Sequence, residues 1–235
     1  MVVFAKRRIL VRPAVIVALL VLSGCSAAEA NRPVTSPQAA TPSRASGRPL
    51  TADQLKALAL TDSEVPQAHD APVQAGRPEG EGKAFPPASD AACQRVLDGV
   101  DAESSSARVV QTFNWKENIM GGSSVLASYE GGEAENAFRR LRDALRVCRS
   151  FTGFGWAGEY QAEVVAEQAP DVGDEALAFH LVSQVDGRRR DEHHVLVRVG
   201  GLTAGFTELN VDRKAVFPLA VIRKQVDRLG AARHR

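Results

Sequence analysis

Apolar residues recur at helical spacing in some stretches of the chain and alternate with polar ones in others, and this rhythm predicts most of its elements. Thr51-Ala-Asp-Gln-Leu-Lys-Ala-Leu-Ala-Leu60 reads as a short helix capped by Thr51. Ser89-Asp90 opens a second helix, with Ala92, Cys93, Val96, Leu97 and Val100 on one stripe. The best helix covers roughly residues 133–148: Phe138, Leu141, Leu145 and Cys148 share a face, while Arg139, Arg140, Arg142 and Arg146 point elsewhere. Pro218 begins a last helix that buries Leu219, Ile222, Val226 and Leu229 and is stopped by Gly230.

Between and after these helices lie strands. Ala107–Lys116 alternates through Val109, Gln111, Phe113 and Trp115, and the next strand through Val125, Ala127 and Tyr129. Tyr160–Ala166, Ala176–Val185, Glu192–Val199 and Leu202–Phe206 follow. Gly200-Gly201 is a strong two-residue hairpin signal that sets Val199 against Leu202, Val197 against Ala204 and Val195 against Phe206. A two-residue Asp186-Gly187 turn would set Phe179 and Leu181 against His194 and Glu192, core against surface. The pleat therefore predicts a five-residue loop, Asp186–Arg190, with Arg188-Arg189-Arg190 as its solvated tip. Adjacent strands joined by tight turns imply an α+β domain: an antiparallel sheet of about six strands with helices packed on one face.

The N-terminus has a different pattern. Residues 1–24 combine Lys6, Arg7, Arg8 and Arg12 with the apolar run Ala14–Leu22, the parts of a secretory signal. The run is well short of the roughly 20 residues that span a bilayer. It ends in Leu22-Ser23-Gly24-Cys25, which resembles the lipobox of bacterial lipoproteins; that resemblance implies lipidation of Cys25 and cleavage before it. Residues 25–50 form a Pro/Ala/Thr-rich tether with too little apolar surface to order itself, reaching on the order of 25–30 Å. The domain proper is 51–235, with a second Pro/Gly-rich stretch at 61–89 that is either functional or loosely ordered.

Once Cys25 is assigned to the anchor, Cys93 and Cys148 remain as an even pair in a compartment where disulfides persist. Both sit on buried helical faces, which favours one disulfide over two buried thiols. The formal charge is +1, but residues 1–24 hold four of the 29 basic side chains and none of the 28 acidic ones, leaving −3 on the remainder. That balance disfavours a nucleic-acid partner.

Candidate chemistry is sparse. His193 and His194 are adjacent on a strand and leave on opposite faces. His180 and His194 fall on one outer face, as exposed cross-strand histidines, with no evident Cys or acidic partner for a metal. Ser104-Ser105-Ser106 lacks a nucleophile frame, and Gly131-Gly132 reads as a turn. No catalytic residue, metal or cofactor is expected. The aromatic segment Phe151-Thr-Gly-Phe154-Gly-Trp156, followed by Tyr160, is a Gly-flexed loop that could wall an apolar cleft with Trp115 and Tyr129, or pack as core.

The lipobox and tether, a Cys near the start of the domain, a helix ending in Cys148 and the Val197-Arg198-Val199-Gly200-Gly201 hairpin together resemble actinobacterial sensor-domain lipoproteins. These are relatives of the extracellular sensor domain of PknH-type serine/threonine kinases. The likeness covers about residues 50–230. Members often carry a second disulfide, for which this chain has no cysteines. The resemblance implies a non-catalytic module on the outer face of the cytoplasmic membrane, binding an unidentified ligand in a cleft. The expected ligand is small and apolar or amphipathic, and the expected membrane partnership runs through the lipid.

Overall fold

The computed structural model describes residues 48–76, 87–155 and 158–233. The secretory segment, Cys25, most of the tether, residues 77–86 and Trp156 lie outside the described residues.

Helix α1 (Ala52–Leu58) opens on a reciprocal capping box: the Thr51 side chain accepts from the Gln54 N–H, and the Gln54 side chain accepts from the Thr51 N–H. Helix α2 (Ala91–Val100) is capped by Asp90, which accepts from Ala92 and Cys93 N–H groups at 2.8 and 2.9 Å. Helix α3 (Glu133–Leu145) follows Gly131-Gly132, both at positive φ, so the pair is a turn, as its composition suggests. Helix α4 (Leu219–Arg233) differs from its sequence pattern at both ends. It runs through Gly230 without stopping, and Leu219 is exposed while Val221 packs inward beside Ile222, Val226 and Leu229.

The strands are β1 (Val73–Ala75), β2 (Ala107–Phe113), β3 (Gly122–Ser128), β4 (Ser150–Gly155), β5 (Gly158–Glu167), β6 (Glu175–Val185), β7 (Arg188–Val199) and β8 (Leu202–Val211). They form one antiparallel sheet in the order β1-β2-β3-β8-β7-β6-β5-β4. The α+β class and the antiparallel sheet agree with the sequence, and the strands number eight rather than about six. The two additional strands are the sheet edges. β1 is three residues long, too short to show a period. β4 is the aromatic segment read as a loop; Gly153 faces Tyr160 there, and a Cβ on it would lie 2.8 Å from the tyrosine ring. The glycine makes room for a cross-strand aromatic rather than flexing a loop.

The helices lie on both faces of the sheet, not one. On β7, Val195, Val197 and Val199 join a core with Leu55 of α1 and Ile222, Val226 and Leu229 of α4. Leu196, on the opposite face, joins Cys93, Val96 and Leu97 of α2, Phe138 and Leu141 of α3, and Phe179 and Leu181 of β6. The Gly200-Gly201 hairpin has the register its sequence predicts, with Val197 opposite Ala204 and Val195 opposite Phe206.

The β6–β7 connection does not match the sequence reading. It is a two-residue Asp186-Gly187 turn, both residues at positive φ, and it pairs Phe179 with His194 and Leu181 with Glu192. Arg188–Arg190 belong to β7 instead of a loop tip. The objection to this register assumed a solvated face. Because helices cover both faces, His194 is buried and stacks on Phe179 at 5.0 Å.

Cys93 and Cys148 are joined, with Cα atoms 5.0 Å apart, tying α2 to the end of α3. The bond closes a loop of 55 residues, so replacing both cysteines by alanine should lower unfolding free energy by about 4 kcal/mol on the chain-entropy account. Urea unfolding of the two forms checks this; a loss under about 1 kcal/mol would mean that the α2–α3 pair holds without its staple.

Candidate functional site

A line of register partners crosses the α1/α4 face of the sheet near one end: His180 on β6, His193 on β7, Glu208 on β8 and Gly122 on β3. Alternation places them there. Leu202, Ala204 and Phe206 are the buried face of β8, and two residues further on that face comes Glu208. The apolar core thus ends in a buried polar row, and each member needs partners.

His180 and His193 stack, ring centroids 4.8 Å apart. His180 Nδ1 meets Asp191 Oδ1 at 2.6 Å and Nε2 meets Glu167 Oε2 at 2.5 Å. Asp191, fully buried, also receives Arg189 at 2.7 Å and the Ala215 N–H at 3.3 Å. The Phe217 N–H donates to His193 Nδ1 at 2.9 Å, and Lys214 Nζ lies 3.3 Å from Glu167 Oε1. The connector from β8 to α4 (212–218) is therefore fastened to β7 by the Asp212, Ala215 and Phe217 N–H groups and an Asp212–Arg188 ion pair, and to the end of β5 by Lys214 and Glu167.

Glu208 is 5% exposed. Its carboxyl accepts from Trp115 Nε1 and, at 2.6 Å, from Asn118 Nδ2. Gly122 makes this possible: a Cβ there would lie 2.7 Å from both Glu208 Oε2 and Trp115 Nε1. Burial pushes the Glu208 carboxyl above its ordinary range, against the two donors. Burial also works upward on Glu167, but hydrogen bonds from His180 and Lys214 outweigh it and hold that carboxyl low. Burial, then the neighbouring His180, lowers His193 to about 4, and burial lowers His194 to about 3.

Over this row opens a cleft of about 440 Å³. One wall is the segment Trp115–Asn118, the other is Arg213–Pro218, and Glu208 and Asn210 form the floor. A second hollow, of about 640 Å³, lies at the β4 end of the sheet against Phe151, Thr152 and Tyr160. The first is the better candidate, because the buried Glu208 carboxyl faces it beside the Trp115 wall, with several polar side chains around it.

The residues singled out from sequence are divided between these places. Trp115 walls the first cleft and packs against Phe113 and Phe217. Phe151 and Tyr160 touch edge-to-face at 6.2 Å and line the second hollow. Tyr129 is buried with Ala102, Ala127 and Ala134, and Phe154 is half exposed on the edge strand. The five described aromatics do not wall one cleft, and His180 faces His193 rather than His194. Nor are these three histidines exposed on the surface. Glu208 carried a legible signal, since the alternation of β8 continues to it; Asn118, Glu167 and Asp191 did not.

Glu167, His180 and His193 offer ligand atoms within 4.8 Å of one another, close enough to hold a metal ion. Their other contacts oppose it. A His193 bound through Nε2 would carry its proton on Nδ1, where the Phe217 N–H already points, and the Lys214 ammonium stands against Glu167. The trio is wired as a charge-paired latch on the connector.

The extracellular domain of PknH from Mycobacterium tuberculosis shares this fold, with a TM-score of 0.56 and 15% identity over 78% of this chain and 98% of that one. A putative uncharacterized protein from Mycobacterium smegmatis superposes with a TM-score of 0.32 and 11% identity over 70% of this chain and 84% of its own. No family model and no curated protein sequence matches the chain.

Gly122→Ala should separate Trp115 from Glu208 and cost about 1–3 kcal/mol as an overpacked site; denaturant unfolding and Trp115 emission read this, and an unchanged midpoint and spectrum would contradict the close approach. A second expectation concerns acid. His193 and His194 refuse protons in the folded chain that the unfolded chain accepts below about pH 6.5. Their stabilising contribution is complete above that pH and is lost as pH falls toward 4. Unfolding free energies measured between pH 7 and 4 should fall more gently in His193→Gln than in the wild type; equal slopes would refute the assignment.

Proposed function

We propose that this chain is a lipid-anchored sensor or ligand-binding module without catalytic activity, held by Cys25 at the outer face of the cytoplasmic membrane. The observation that carries the reading is the state of the cleft's polar groups. Glu208 is held by Trp115 and Asn118, and the histidines behind it are engaged by Asp191, Glu167 and the Phe217 N–H. Among the described residues that line the cleft there is no Ser, Thr, Cys or His to act as a nucleophile beside a base. Serine-, threonine- and cysteine-type hydrolases need such a pair at hydrogen-bond distance, and a binding site needs a shaped wall with a few fixed polar groups.

Two further observations support the location. The fold is shared with a domain described as extracellular, and the joined cysteines suit an oxidising compartment. Among the described residues no helix is long and apolar enough to cross a membrane, so on this reading attachment rests on the Leu22-Ser23-Gly24-Cys25 lipobox. The ligand on this reading is small and apolar or amphipathic, taken against Trp115 and its surroundings.

Expression of the full chain in a bacterial host should place the wild type in the membrane fraction with a diacylated Cys25 as its first residue. Cys25→Ser should accumulate as precursor or leave that fraction. Intact-mass analysis showing an unmodified N-terminus at or beyond Ser26 in the wild type would refute the anchor.

A further inference from the structure

We infer that the cleft between Trp115–Asn118 and Arg213–Pro218 takes an anionic amphiphile: a small molecule with a phosphate- or carboxylate-like head and an aliphatic or flat apolar body. This rests on the binding reading above and adds the class of ligand.

Charge is the first ground. Lys116, Arg213 and Lys214 stand on the two walls, and among the described lining residues the acids are Glu117 at the rim and Glu208 on the floor. Glu208 already accepts two hydrogen bonds, and burial disfavours its charge. Lys214 is shared with Glu167 and Lys116 donates to the Pro66 carbonyl, so the cleft presents to an entering head group one lightly held cation, Arg213, with two partly engaged ones beside it. Among the described residues Arg213 keeps only a long 3.4 Å contact, to Asn210, and its guanidinium suits an oxyanion in two-point contact. Asn118, Asn210 and Gln67 add neutral polar groups around it.

Apolar surface is the second ground. Seven large hydrophobic side chains are exposed among the described residues; Val216 lines this cleft, and three more stand just beyond its walls, Ile119 and Met120 after Asn118 and Leu219 after Pro218. Ile119 is fully exposed and Val216 nearly two-thirds so. With Trp115 at the inner wall, these give an apolar body somewhere to lie while the head meets Arg213 and Lys214.

Position decides between a free amphiphile and the membrane to which the chain is tied. The chain enters the domain at Leu50, whose N–H donates to the Ser128 side chain at 2.8 Å, at the far end of β3. The cleft lies at the Gly122 end of the same strand, about 20 Å away for a strand of this length. The point where the chain enters the domain is thus well removed from the cleft, so attachment there leaves the cleft open to a diffusing ligand.

The test uses two dyes of the same ring system, anionic 1-anilinonaphthalene-8-sulfonate and uncharged N-phenyl-1-naphthylamine, titrated into the disulfide-bonded protein. The sulfonate should bind about tenfold or more tightly than the neutral dye. Arg213→Gln with Lys214→Gln should remove that preference, and Val216→Asp should weaken both dyes. Dodecyl phosphate should displace the sulfonate, and inorganic phosphate should not. Thermal midpoints within a few degrees of wild type establish that the variants are folded. Equal binding of the two dyes, blocked by Val216→Asp and indifferent to the double variant, would overturn the anionic class while leaving a binding cleft in place. Displacement by inorganic phosphate as readily as by dodecyl phosphate would remove the amphiphile. Binding of neither dye, with no displacement to observe, would take the cleft away from the binding reading as well. Sedimentation of the protein with phosphatidylglycerol vesicles, abolished by Ile119→Asp and not competed by dodecyl phosphate, would assign the surface to a membrane instead.

Discussion

The register of β6 against β7 determines everything at the cleft end of the sheet. Asp186 and Gly187, both in the left-handed region, allow a turn of two residues and no more. From there the pairing runs unbroken to Glu175 opposite Arg198. That register stacks His180 on His193, brings Asp191 within reach of His180 Nδ1 and leaves His193 Nδ1 facing the Phe217 N–H. A slip of one residue would send all of these side chains to the opposite face. The connector from β8 to α4 would lose its fastenings, and the cleft one of its walls.

Burying such a row is costly unless every group finds a partner. The protein meets that demand with strand neighbours and backbone. Asp191 receives a histidine, an arginine and a main-chain N–H; Glu208 receives an indole N–H and an amide. The arrangement stabilises less than an apolar core of the same volume, but it is directional. Only one placement of residues 212–218 satisfies both the Ala215 and Phe217 N–H groups. The same groups that close the core therefore give the cleft a fixed wall, and on the proposed reading that rigidity lowers the ordering cost of taking a ligand.

Much of this was legible in the chain, for identifiable reasons. The helices declared themselves by stripe and cap, as with Thr51 and Asp90, and the Gly200-Gly201 hairpin by a turn that permits one register. The same periodicity put both cysteines on buried helical faces, and both are buried and joined, although α3 ends at Leu145 and Cys148 lies three residues beyond it. What misled was the assumption of one solvated face. A strand covered on both sides carries polar residues at buried positions, so His194 and Glu192 opposite Phe179 and Leu181 looked impossible when His194 was simply enclosed and Glu192, partly buried, was paired with Arg190. Edge strands β1 and β4 were hidden by shortness and by Gly153. The aromatics could not be located from sequence, because their separation across the sheet follows from the strand order: β2 lies near one edge and β4 forms the other. The row His180–His193–Glu208–Gly122 needs three correct registers at once, of which the sequence supported one.

The central claim is that this domain binds a ligand between two walls, one of them held by the polar row. Hydrogen–deuterium exchange of the intact, disulfide-bonded protein, with and without saturating dodecyl phosphate, reads both walls directly. The account predicts slow exchange at Ala215 and Phe217 in the free protein, from their bonds to Asp191 and His193. It further predicts added protection confined to peptides spanning 115–121 and 212–219. Protection at β4 and β5 instead, or rapid exchange of Ala215 and Phe217 in the free protein, would contradict it.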